Sequence, residues 1–315
     1  ARRRWIRARE SELLPVPYYH VVFTVPDELS ALFLSNPRVA YGLLFAAVAE
    51  TLQEVALNPK RLGAKIGFTA VLHTWTQVLL YHPHIHCIVP GGGLDPSGKR
   101  WISSKPDFFL PVRVLSRVFR GKLLSKFEAA LKSGKIRPSA TADPDDSLQR
   151  AARKKWVVYC KRPFAGPEQV VAYLGRYTHR IAISNERLVS LEHGRVTFRW
   201  KDRAHHDEPK LLTLDAVAFL RRFLLHVVPK GMVRIRHYGL LANAKRRKNL
   251  ATCRELLHAA LPPEVSKTES WQDLLLRLTG RDPRLCPRCH VGTMVVIDEL
   301  PAVRPWTLPG RGKTG

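Results

Sequence analysis

Residues 66–89 constrain this chain more than any other stretch. Two β-rich runs, Ile66 to Trp75 and His84 to Val89, are separated by a short apolar turn, and His82-Pro83-His84-Ile85-His86 opens the second. In a strand alternate side chains share a face, so His84 and His86 project together while Ile85 packs into the core. Such a strand needs a sheet with an apolar layer on one side and room for two imidazoles on the other. Pro83 predicts that the regular strand begins after it and leaves His82 in the turn. Two imidazoles held side by side form half of a divalent-metal site. If the preceding run pairs back as a hairpin, His73, Trp75 and Gln77 share one of its faces. His73 and Gln77 are both able to supply a third ligand; imidazole binds transition metals more readily than an amide, which favours His73 and leaves Gln77 as the alternative. Half-exposed histidines without a metal would give the same pattern. The His-x-His-x-Asp-His signature of binuclear zinc hydrolases does not fit, because Cys87 and Ile88 follow His86.

The flanking segments suggest where this hairpin sits. His20 to Val25 reads as a strand entered through Pro15-Val16-Pro17 and closed by Pro26. Asn36-Pro37 opens a helix to about Ala56, and Val112 to Leu131 is a basic amphipathic helix. Residues 133–148, rich in Pro, Ser and Asp, read as a flexible insert. Trp156 to Cys160 is a strand, and Gly166-Pro167 starts a further helix. This order predicts an α+β domain over 17–205 with one mainly antiparallel sheet, preceded by a basic entry segment, 1–16. From 206 to 299 the pattern is mostly helical and basic, and 300–315 reads as a disordered tail. The chain opens at Ala1 with Arg2, Arg3 and Arg4, so further sequence is expected upstream.

Charge narrows the partner. Lys and Arg number 52 against 26 Asp and Glu, a formal charge of +26 in 315 residues. That excess calls for a polyanion. No stretch approaches ~18 unbroken apolar residues, so nucleic acid is favoured over a membrane. The run Lys245, Arg246, Arg247 and Lys248 suits phosphate contacts that position DNA without reading bases. Trp5, Trp75, Trp101 and Trp200 are candidates for stacking on unpaired bases, with core packing as the ordinary alternative. Five scattered cysteines fit a reducing compartment rather than a disulfide framework. Cys286 and Cys289 have the spacing of one zinc-ribbon knuckle; a structural zinc there would draw on Cys253, His258 or upstream residues, since no Cys or His follows His290.

The segment Glu168 to Arg180 (EQVVAYLGRYTHR) supplies candidate nucleophiles. At ~100° per residue, Tyr173 and Tyr177 lie about 40° apart on one helical face. Val170, Leu174 and Ile181 form the adjoining apolar stripe, and Arg176 and Arg180 flank the tyrosines on the other side. A tyrosine is a poor nucleophile at neutral pH unless phenolate or the charge on a phosphoryl group is stabilised, which a metal and a nearby Arg can do. Packing of both rings on the sheet is the alternative.

Together these stretches resemble the HUH transposases of the insertion-sequence-91 type, the two-tyrosine rolling-circle transposases. The matching residues are LLPVPYYHVVFTVP (13–26), LHTWTQVLLYHPHIHCIVPGGGL (72–94), FFLPVRVLSRVFRGK (108–122), YLGRYTHRIAISN (173–185) and RIRHYGLLAN (234–243). His84-Ile85-His86 is the histidine–hydrophobe–histidine element, and the paired tyrosines fall on Tyr173 and Tyr177. The resemblance implies a ferredoxin-like antiparallel sheet carrying the histidines, a divalent metal (Mg²⁺ or Mn²⁺), and transesterification on single-stranded DNA through a 5′-phosphotyrosine. It implies a bacterial, cytoplasmic, nucleoid-associated protein, with single-stranded DNA at transposon ends and target as partner. Such chemistry conserves bond energy and needs no ATP; the terminal Gly312-Lys313-Thr314 is not a P-loop, because Thr307 stands where its first glycine belongs. Members of the family carry a cysteine-rich zinc module ahead of the basic run, outside this sequence. A replication initiator or relaxase with the same histidine pair, and an inactive DNA-binding remnant, are the competing readings.

Overall fold

The structure, a computed structural model, describes residues 12–138, 142–161, 182–202, 205–259 and scattered positions between 272 and 295. The chain divides into two compact units, Ala1–Leu261 and Pro262–Gly315. In chain order the first holds β1 (Tyr18–Thr24), α1 (Ser30–Ser35), α2 (Pro37–Leu57), β2 (Gly67–Trp75) and β3 (Tyr81–Pro90). A short ribbon follows, β4 (Gly92–Leu94) and β5 (Trp101–Ser103), then α3 (Val112–Lys132), α4 (Pro144–Arg153) and β6 (Val158–Lys161). After these come β7 (Leu188–Glu192), β8 (Arg195–Asp202), β9 (Glu208–Asp215), α5 (Ala216–Leu224), β10 (Ile235–Gly239) and α6 (Arg246–Leu256).

The central sheet has the order β10-β2-β3-β1-β6, and each neighbouring pair is antiparallel. The fold is thus α+β with a central antiparallel sheet, as expected. Alternation sets its two faces. Tyr19, Val21 and Phe23 of β1, Phe68, Ala70 and Leu72 of β2, and Ile85, Cys87 and Val89 of β3 point into one buried cluster. Helices α2 and α3 cover that face with Leu44, Phe45, Val48 and Leu52 from one and Phe119, Leu123 and Phe127 from the other. Pro37 occupies the first turn of α2, where its missing N–H costs nothing. α2 is the one described helix long and apolar enough to cross a membrane, but most of it is buried inside the fold. Its apolar length serves the core.

Three local expectations change. Pro83 lies inside β3 rather than before it. The β2–β3 register shifts between His73 and Trp75, so Pro83 falls at an irregularity of the ladder, where a residue without an N–H is tolerated. The insert expected to be flexible over 133–148 contains the start of α4. Asp143 caps that helix by accepting from the N–H groups of Asp145 and Asp146, Pro144 fills its first turn, and Leu148 and Ala151 are buried. The region from 206, expected to be mostly helical, contributes α5 and α6 but also β9 and β10. β9 completes a separate three-stranded sheet, β7-β8-β9, and β10 is an edge strand of the central sheet. Hydrophobic periodicity in five residues such as Ile235 to Gly239 is too short to separate helix from strand.

Two of the candidate stacking tryptophans have packing contacts. Trp75 stacks on His73, Trp101 is half-buried beside Gly92 of the ribbon, and Trp200 is half-buried on β8; Trp5 lies outside the described residues. So do the tail 300–315 and most of the entry segment, of which Leu14 and Val16 are buried.

Candidate metal centre

The sheet face away from α2 and α3 carries the histidines. His73 of β2 is directly opposite His84 of β3, and His86 is opposite Val71, so the three side chains rise from adjacent positions on one face. Each presents a ring nitrogen, and these three nitrogens lie within 4.8 Å of one another. Ring centroids are 5.5 Å apart for His73 and His84, 4.3 Å for His73 and His86, and 4.9 Å for His84 and His86. Gln77, the alternative third ligand, is two residues past the end of β2, and its backbone carbonyl accepts from Arg187. The strand ends before the alternation that would have carried Gln77 onto the face.

A hydrogen bond and burial bear on the protonation of two of the three donors. The Nδ1 of His84 is 2.6 Å from the carbonyl oxygen of His82. A carbonyl can only accept, so Nδ1 holds the proton and the lone pair is on Nε2. Burial pushes the His73 imidazole well below its usual range, and the positive potential of His84, Arg234 and His20 adds to the shift. His73, only 3% exposed, is therefore neutral at pH 7. Three imidazoles so close together are a donor set for a divalent transition metal.

Sequence reasoning missed the neighbours of this cluster. His20, on β1, places Nε2 2.7 Å from Nδ1 of His86, and the two rings stack with centroids 4.9 Å apart. Its strand was legible, but the diagonal contact exists only once β1 pairs with β3. Arg234, just before β10, is half-buried near His73. On β6, Lys161 lies opposite His20 and Tyr159 opposite Val22, which puts an exposed cation and an exposed ring on the histidine face.

The other predicted site residues are placed unevenly. Tyr173, Tyr177, Arg176 and Arg180 lie outside the described residues. Lys245, Arg247 and Lys248 are exposed around the start of α6, whereas Arg246 is half-buried and pairs with Glu12 at 3.1 Å. In the second unit Leu285 bridges Thr293, and the turn between them holds Cys286 and Cys289. The Gly292 N–H donates to Cys289 Sγ at 3.3 Å, and that bond heads the causes that lower the Cys289 thiol.

A family model described as "Putative transposase" matches residues 67–249, more than half of the chain, including β2, β3 and the histidine cluster. The chain belongs to the two-tyrosine transposase family. The "Putative transposase y4qJ" of Sinorhizobium fredii (strain NBRC 101917 / NGR234) is 50% identical over 307 residues, covering 95% of this chain and 77% of that protein. The "Transposase for insertion sequence element IS801" of Pseudomonas savastanoi pv. phaseolicola is 29% identical over 300 residues, covering 91% and 69%. Among solved structures, "Conjugative Relaxase TrwC in complex with mutant OriT Dna" aligns over 75% of this chain and 72% of that one at 14% identity. Its TM-score of 0.28 is too low for the two folds to be equated.

Proposed function

We propose that this transposase nicks and rejoins single-stranded DNA by tyrosine transesterification, with His73, His84 and His86 holding a divalent metal at the scissile phosphate. The observation that carries the reading is the triple of ring nitrogens within 4.8 Å on the sheet face opposite α2 and α3, in a chain of charge +26. A bound Mn²⁺ or Mg²⁺ would polarise the phosphoryl oxygens and neutralise charge that develops on them. Everything else falls to side chains. The phenolic oxygen of Tyr173 or Tyr177 forms a bond to phosphorus while the bond to the 3′ oxygen breaks. The phenol gives up its proton as the bond to phosphorus forms and the leaving oxygen takes one up as a 3′-hydroxyl, so none is gained or lost overall, and the 5′-phosphate stays on the tyrosine. The reverse attack by a 3′-hydroxyl rejoins a strand without ATP. Arg176 and Arg180 are assigned to the phosphate beside the tyrosines, and Lys245, Arg246, Arg247 and Lys248 to more distant phosphates, with Arg246 also tied to Glu12. Cys286 and Cys289 are assigned to half of a structural zinc site, and the bacterial cytoplasm beside the nucleoid is the proposed location.

The test is a denaturing gel of protein incubated with Mn²⁺ and an oligonucleotide labelled on the 3′ side of the nick. Tyr173→Phe with Tyr177→Phe should remove every covalent adduct, and His84→Ala should do so with DNA binding retained. Phenylalanine keeps the ring and deletes only the nucleophilic oxygen, so loss of adduct in a folded protein indicts chemistry. A normal adduct yield from the double mutant would refute the mechanism; no adduct from the unmodified chain would leave a DNA-binding remnant.

A further inference from the structure

The contact between His20 and His86 has a chemical consequence beyond the three-histidine reading, on which it rests. His20 and His86 are diagonal neighbours across the β1–β3 ladder: His20 is opposite Ile88, and His86 is opposite Val22. The rings stack with an interplanar angle of 10°, and His20 Nε2 is 2.7 Å from His86 Nδ1. At that distance between two neutral rings, one nitrogen must carry the proton and the other the lone pair.

The two arrangements are not equivalent. If His20 donates, the proton of neutral His86 resides on Nε2 and that nitrogen has no lone pair for a cation. If His86 donates from Nδ1, its lone pair is on Nε2, the tautomer that His82 O imposes on His84. We infer that His20 is a positioning residue that accepts the Nδ1–H of His86 and so fixes the tautomer and ring orientation with which His86 meets a divalent cation. Ligating histidines commonly have such an acceptor, and it is often a carboxylate. Here the two described acceptors are a backbone carbonyl and an imidazole. Of the two, only His20 is a side chain, and hence open to substitution.

The experiment titrates Mn²⁺ into the full chain by calorimetry and records the Co²⁺ absorption spectrum of each variant, alongside DNA cleavage. His20→Ala should weaken Mn²⁺ binding about 10–100-fold, the ordinary cost of losing such a partner. His20→Gln, whose amide oxygen can accept from about the same place, should recover most of that loss. The Co²⁺ band positions should be unchanged in both, because no ligand is removed. Wild-type Mn²⁺ affinity in His20→Ala, while His84→Ala has lost it, overturns the inference and leaves the site standing. Mere loss of thermal stability in His20→Ala, with affinity intact, overturns it too. A changed Co²⁺ spectrum would make His20 a ligand and also overturn the positioning role. Equal Mn²⁺ binding by wild type and His84→Ala would remove the three-histidine site itself.

Discussion

Replacing His73 by Ala separates the two candidate third ligands, and the size of the effect can be worked out in advance. Metal that binds only the folded chain stabilises it by RT ln(1 + [M]/Kd), so Mn²⁺ at 100 times the wild-type Kd adds about 2.7 kcal/mol. For a unit of this size each kcal/mol moves Tm by roughly 2–4 °C, which predicts a Mn²⁺-induced rise of about 5–11 °C in the wild type. If losing His73 weakens binding about 100-fold, the same metal concentration only equals Kd, and the gain falls to about 0.4 kcal/mol, or roughly 1–2 °C. His73→Ala also disturbs the apo protein, because the ring is 3% exposed and stacked on Trp75 with centroids 4.7 Å apart. Taking the difference with and without Mn²⁺ inside each variant cancels that term. Differential scanning fluorimetry of wild type, His73→Ala and Gln77→Ala is sufficient. Gln77→Ala should keep the full rise, since Gln77 is beyond the end of β2. A full rise in His73→Ala, or its loss in Gln77→Ala, would refute the argument from strand register.

Two further perturbations test how the fold supports the site. Gly239 ends β10 with φ +58°, and a Cβ there would run into the backbone oxygen of Ile66, next to β2. Gly239→Ala should cost about 1–2 kcal/mol for the left-handed backbone alone, with more from displacing the edge strand, and denaturant unfolding will measure it. Asp143→Ala removes the N-cap of α4 and should cost about 1 kcal/mol, a drop of roughly 2–4 °C in Tm. Its Mn²⁺-induced rise should match the wild type, since Leu148 and Ala151 pack into the cluster on the face opposite the histidines.

The sequence by itself determined the parts that depend on local periodicity. The proline-bounded run His20–Val25 and the alternation in His84–Val89 placed two strands, and the alternation assigned Ile85 to the core and the flanking histidines to the other face. The apolar spacing from Asn36-Pro37 to about Ala56 and from Val112 to Leu131 placed the two helices that cover the sheet, observed as Pro37–Leu57 and Val112–Lys132. The stretches that resemble two-tyrosine transposases are legible in the sequence, and the matching family model spans residues 67–249. Tertiary structure alone decided matters that rest on contacts between distant segments. His20 meets His86 across 66 residues, and no pattern along β1 announces it. β10 joins the sheet beside β2 from more than 160 residues away, because an edge strand is chosen by the partner it pairs with and not by its own five residues. Where β2 stops is what sets His73 opposite His84 and leaves Gln77 beyond the strand. Strand ends are set by the neighbouring ladder and the turn it must close, so both residues look equally placed until β3 is laid against β2.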